Sequence, residues 1–172
     1  MSETAIEMTP DLIPEGSSMA RVARAAAEAG LKIRILKMAQ STRTAEEAAD
    51  AAGCEVSQIV KSLVFENTST KKLELMLVSG AHNADMDYIS THYGLSFARC
   101  DVRRVRDETG FAIGGVAPIG HLNPIAIYMD RTLLDHTEVW AAAGRPDSVF
   151  SVDPKALATA IGAELIDVRA PA

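Results

Sequence analysis

The sequence predicts an α+β fold: a single domain in which a mixed β-sheet or partial barrel is flanked by helices. Three observations carry this. Short apolar runs suited to strands recur at 31–38, 60–66, 73–79, 125–130, 138–142, 149–152 and 164–168. Between them lie stretches with small and apolar residues at helical spacing, closed by Gly30, Gly53, Gly94 and Gly110. The two kinds do not alternate steadily, as a doubly wound parallel sheet would require.

Residues 1–14 hold Pro10 and Pro14 without a clear period and read as an extended arm. Residues 15–172 then read as one domain, long enough to bury a core. Ser17 or Ser18 caps the first helix, where Val22, Ala25, Ala26 and Ala29 share a face. Residues 31–38 set Leu31, Ile33 and Ile35 against Lys32, Arg34 and Leu36, the pattern of a half-buried strand. Thr44 with Glu47 three residues on is a capping box, and Ala45, Ala48, Ala49 and Ala52 give a face that packs closely.

The runs 60–66 and 73–79 flank a polar turn, so a hairpin is expected. Helices follow over 84–93 and 101–109. The second carries Arg103, Arg104 and Arg106, which read as a solvated face, with phosphate contact as the alternative. Asp153 caps the last helix, with Pro154 in its first position.

Composition narrows the function. A net charge of −6 excludes a broad basic grip on nucleic acid but not contact with the tip of one. Cys54 and Cys100 stand alone, so reduced thiols are expected, with no metal and no cofactor. No basic segment leads into an apolar run at the N-terminus, and no stretch approaches the roughly 20 apolar residues of a membrane span. A cytoplasmic protein without a membrane partner is the expectation.

One residue stands out. Lys61 interrupts the apolar run Ile59, Val60, Leu63, Val64, Phe65 and shares a strand face with Leu63 and Phe65. An ammonium group there costs desolvation energy unless compensated. Either the strand is an edge, or Lys61 points into a pocket that uses a positive charge. Ser62 faces the other way and reads as structural. About fifty residues later, Gly114, Gly115, Val116, Ala117 and Pro118 form a loop. Glycine allows positive φ there and lets a ligand approach the backbone, and successive amides can hold an anion or a carbonyl oxygen. A tight turn is the plainer reading. His121 follows the loop, either packed or at the site. Asp130 ends an apolar strand, where it orients Lys61 or caps the next turn. Thr42 precedes the helix cap and borders the same region.

These motifs together resemble the YbaK / prolyl-tRNA synthetase-associated domain family of bacterial trans-editing aminoacyl-tRNA deacylases. TAEEAADAAGC at 44–54 is similar to the helix before the family's catalytic strand, and IVKSLVF at 59–65 to that strand, with Lys61 at the family's lysine. Gly114 to Pro118 fits its GxxxP loop, and VSGAHNAD at 78–85 the stretch after the hairpin. The resemblance implies hydrolysis of the ester between an amino acid and the terminal adenosine of a mischarged tRNA, without a metal. It implies a catalytic Lys61, as a fixed charge or a general base, and a pocket shaped by the loop. Its implied partner is the tRNA acceptor end, with a synthetase or elongation factor as helper. A non-catalytic module that binds an aminoacyl-adenosine or a protein is the alternative. One departure is visible: Ala143 precedes Gly144 and Arg145 where the family often has a glycine pair followed by basic residues.

Overall fold

The computed structural model describes residues 5–171. Two sheets form its frame. The first has strands β1 (Ile6–Glu7), β2 (Arg34–Lys37), β8 (Ser148–Val152) and β7 (Val139–Ala142) in that spatial order, all antiparallel. The second runs β5 (Phe97–Arg99), β3 (Val60–Asn67), β4 (Leu73–Ser79), β6 (Ala126–Asp130) and β9 (Glu164–Ile166). It is mixed: β3 pairs antiparallel with β4 and β5, while β4–β6 and β6–β9 are parallel. A single parallel bridge between Ile59 and Trp140 joins the two sheets.

The central strand β4 shows why this arrangement holds. All seven of its residues are buried. Leu73, Leu75 and Leu77 enter the main apolar cluster, which also takes Ile35, Phe150 and Val139 from the first sheet. Met76 and Val78 point the other way and pack with Ile89 and Tyr128. Alternate residues of one strand thus serve two cores, which requires both faces to be covered.

Five helices supply the cover: α1 (Ser18–Glu28), α2 (Ala45–Ala52), α3 (Met86–Tyr93), α4 (Val102–Thr109) and α5 (Pro154–Ile161). The expected caps Ser17, Thr44 and Asp153 are present, and Asp101, expected inside its helix, is a cap as well; each accepts a backbone N–H at a helix start. The capping box is displaced by one residue, because the Glu47 carboxylate accepts from Arg43 N–H. Gly53, Gly94 and Gly110 close their helices in the left-handed conformation.

Two expectations need correction. The strand at 31–38 shortens to β2 and is not half-buried: Ile35 joins the main cluster, while Leu36 packs on the other face against Ala48, Ala49 and Ala52 of α2. The alanine face covers the side expected to meet solvent. Strand β5 has no counterpart in the sequence reading. At three residues it is too short to display a period, and pairing with Phe65–Asn67 defines it.

Candidate functional site

Lys61 lies where β3 is only partly paired. On one side β4 matches it along its length. On the other, β5 covers only Phe65 to Asn67, and the sheet-joining bridge stops at Ile59. The two sequence alternatives therefore merge: Lys61 sits on a local edge, and that edge opens into a cavity. Its face is the expected one, since Leu63 and Phe65 pack together in the α3-side cluster.

The cavity has a volume of about 270 Å³. Lys61, Thr42, Gly114 and Val116 are all on its wall. The start of α2 gives Thr44 and Ala45, and the first sheet gives Trp140. The Lys61 ammonium donates to the carbonyl oxygen of His82, which uses one of its three donors. Among the described residues it forms no ion pair.

Asp130 reaches Lys61 only through His82. Its carboxylate is 1% exposed and accepts four hydrogen bonds. Ser79 N–H donates at 3.0 Å and His82 Nδ1–H at 3.0 Å. Thr132 donates its N–H at 3.0 Å and its hydroxyl at 2.8 Å. The sequence posed orientation of Lys61 against capping of the next turn. Asp130 caps that turn and ties down the 79–82 bend that carries the lysine's acceptor.

The glycine loop divides. Gly114 has φ of +91°, a conformation that L side chains rarely adopt. Gly115 is bare for another reason: a Cβ there would come within 2.8 Å of the Arg145 backbone. The chain's own loop, not a ligand, occupies that space. The Gly115 N–H is spent on the Ala112 carbonyl. Ala117 is fully buried, and Pro118 faces a different cavity together with His121.

His121 packs its ring edge-on to Phe111, and its Nε2 lies 2.7 Å from the Ala117 carbonyl. A carbonyl only accepts, so Nε2 carries the proton. Burial, chiefly, pushes its pKa below the ordinary 6.5, helped by the Arg21 charge and opposed by the Ala117 hydrogen bond. Both thiols are raised by burial, Cys54 to about 11, and so stay protonated at neutral pH. Among the described residues, no three His, Cys, Asp or Glu side chains gather to hold a metal, and no helix is long and apolar enough to cross a membrane.

The sequence reading missed several residues of the wall. Pro146 and Ser148 come from the segment after β7, and Ser62 from β3 itself. A lone tryptophan and a Gly-Arg-Pro turn were the available signals, and neither specifies which cavity it lines.

Two measurements check this geometry. Asp130→Ala strands the buried Ser79 N–H and leaves three part-buried donors to water, and is expected to lower stability by about 1–3 kcal/mol in urea unfolding; no measurable loss would show that water replaces the carboxylate. Because folding lowers the His121 pKa, the unfolded chain binds more protons below about 6.5. The stability it contributes is whole above that pH and declines as pH falls toward the folded value. His121→Gln should therefore flatten the drop in melting temperature between about pH 7 and pH 5.

The profile of the aminoacyl-tRNA editing domain family matches residues 39–160, a span that holds Thr42, Lys61, the glycine loop and Asp130. The chain is 30% identical over 117 residues to the uncharacterized protein YwhH of Bacillus subtilis (strain 168), covering 68% of this chain and 74% of that one. A solved structure described as a candidate trans-editing enzyme for prolyl tRNA synthetase superposes with a TM-score of 0.80 at 41% identity, over 95% of this chain and 99% of the other. The hypothetical protein APE2540 superposes with a TM-score of 0.76 at 28% identity, over 86% and 97% of the two chains. With the mixed two-sheet frame and this matched span, the chain belongs to the aminoacyl-tRNA editing domain family.

Proposed function

We propose that this protein hydrolyses the ester of a mischarged aminoacyl-tRNA, acting in trans, in the cavity beside Lys61. The observation that carries the reading is the lysine's setting. Its ammonium is anchored by one carbonyl, has no neutralising carboxylate among the described residues, and shares a cavity with the Gly114 wall. Such a charge is available to a ligand that brings negative charge or develops it.

The reaction needs little from the protein. Water or the neighbouring ribose hydroxyl adds to the ester carbonyl carbon, and the bond to the ribose oxygen breaks. That oxygen takes a proton, and with water as the final acceptor a free amino acid and an uncharged tRNA end leave. An ester already has a fair leaving group, so positioning and stabilisation of the oxyanion are the main tasks. Lys61 supplies a fixed positive charge for the carbonyl oxygen or the terminal phosphate. Gly114 and Val116 shape the wall, Thr42 closes the side near α2, and Gly115, Ala117, Pro118 and His121 hold the loop from behind. The likeness to a candidate trans-editing enzyme for prolyl tRNA synthetase supports a partnership with that synthetase's tRNA. The net charge of −6 suits contact with the acceptor end alone.

A deacylation screen over mischarged tRNAs tests the reading. Wild type is expected to release an amino acid from at least one, and Lys61→Ala to lose about 10²–10³ in kcat with its melting temperature kept. A wild type inert across the panel would hand the site to a non-catalytic binding module. Gly114→Val forces a β-branched residue into left-handed backbone at about 1–3 kcal/mol, and activity is expected to fall about tenfold or more. Unchanged turnover would make the loop a passive turn.

A further inference from the structure

The Gly114 wall is held from a helix that does not touch the cavity. Gly114 and Val116 line the Lys61 cavity and also a second one of about 380 Å³, so the two form one trough along β3 with this loop as a common wall. The loop belongs to an excursion of the chain from Gly110, which ends α4, to Gly120. Both glycines have positive φ, +83° and +89°. Leu122 N–H donates to the Thr109 carbonyl at 3.0 Å and closes the neck of the excursion. Inside it, among the described residues, the backbone bonds to itself only from Gly115 N–H to the Ala112 carbonyl. A loop tied so lightly to itself takes its position from what surrounds it.

Arg21 of α1 spans its two ends. Nη2–H donates to the Gly110 carbonyl at 2.6 Å and Nε–H to the Gly120 carbonyl at 2.8 Å. The guanidinium also lies over the buried Phe111 ring, 4.5 Å from its centroid. A planar fork serves both carbonyls at once, which an ammonium on a flexible stem does not. The bare glycines match this grip. A Cβ at Gly110 would lie 2.6 Å from Arg21 Nη2, and one at Gly120 would lie 3.3 Å from the Arg21 carbonyl oxygen. No ion pair accounts for the cation's place, since Arg21 forms none among the described residues. One turn earlier on α1, the Ser18 hydroxyl donates to the Gly144 carbonyl at 2.8 Å, and Pro146 beyond it stands on the Lys61 cavity wall. Two neighbouring side chains of one helix therefore hold both loops that border the cavity. Yet α1 lines neither cavity among the described residues, and it precedes the 39–160 span that the family profile matches.

We propose that Arg21 is the positioning residue of the Lys61 cavity: it fixes the Gly114 wall against Lys61 while touching no substrate. Gly114 lies four residues past Gly110, so a shift at the ends of the excursion is carried to the wall. Without the guanidinium, the two end carbonyls turn to water and the excursion pivots on its terminal glycines, which have no side chain to resist. A misplacement of about 1 Å costs a reaction about a hundredfold. The loss falls on kcat, because a displaced wall still admits the ester but holds less of it in the reacting geometry. For its effect on turnover the inference rests on the deacylase reading, which it deepens by naming what sets the wall's place.

The test compares three full-chain variants well below their melting temperatures. Arg21→Met keeps an apolar stem over Phe111 and removes the fork, Arg21→Lys keeps the charge, and Arg24→Met alters an exposed position one turn along α1. Trp140 is the only tryptophan of the chain and is buried on the wall of the Lys61 cavity, so acrylamide quenching of its fluorescence reads how far that cavity opens. In Arg21→Met, quenching is expected to rise, and amide exchange over 111–116 to quicken about tenfold or more, the worth of one charge-assisted hydrogen bond. Its kcat on a mischarged tRNA is expected to fall about tenfold to a hundredfold with KM little changed. Arg21→Lys should lie between it and wild type, and Arg24→Met should match wild type. If Arg21→Met does not fold, Arg21→Lys carries the comparison. A lower melting temperature with wild-type exchange, quenching and kcat would make Arg21 a structural residue only and overturn the proposal, as would an equal loss in Arg24→Met. The two readings fail separately. A wild type inert on every mischarged tRNA removes the deacylase, while faster exchange and stronger quenching in Arg21→Met still keep Arg21 as the wall's anchor. A wild type that deacylates, with kcat unchanged in Arg21→Met, does the reverse.

Discussion

The feature on which the site depends is an unfinished strand pairing. β3 has seven residues matched to β4, yet β5 meets only its last three. Had β5 continued, its backbone would cover Ser62 and close the trough. It stops because Asp101 turns the chain into α4 by accepting Arg103 N–H. At the other end the edge is pinned by the Ile59–Trp140 bridge. An open edge normally invites another chain. Here it is recessed between the start of α2 and the glycine loop, so small ligands reach it more readily than a strand would.

Lys61 gains its meaning from that gap together with a rigid acceptor. A lysine side chain has several rotatable bonds and loses entropy when held. The His82 carbonyl holds it, and the bend carrying that carbonyl is over-determined. Asp130 binds Ser79 and His82, the Ser79 hydroxyl donates to the Ser57 carbonyl, and His82 N–H donates to the Ser79 carbonyl. A buried carboxylate is a weak source of net stability. Its use here is geometric, since four donors converge on it from two places in the chain, the 79–82 bend and Thr132.

What the sequence made legible is mostly local. Thr44 and Asp153 cap helices through residues two or three positions away, and glycines stop helices by their own backbone freedom. The face of Lys61 follows from counting by two. What it hid is set by distant partners. Leu36 looked solvent-facing because nothing in its neighbourhood announces that α2 will lie on it. Asp130 offered two equal readings because His82, 48 residues earlier, decides between them. Ser62 looked structural for want of any sign that its hydroxyl would be left alone. The family resemblance supplied the long-range pairing of Lys61 with the glycine loop, which periodicity could not.

The departure at Ala143 shows how a changed motif can keep its contact. The segment after β7 still meets the glycine loop, but backbone to side: Arg145 main-chain atoms lie where a Gly115 side chain would be. Pro146 stands 3.7 Å from the position a Gly114 Cβ would take and lines the Lys61 cavity. Gly144, with φ of +99°, lets this segment approach Ser18, whose hydroxyl donates to the Gly144 carbonyl at 2.8 Å. The two loops bordering the trough are thus locked to each other and to α1. Main-chain contacts of this kind leave little room to rearrange, because a packed interface is not continuously deformable. The geometry favours a cavity formed before any ligand arrives, so that binding energy is not spent on closing a lid.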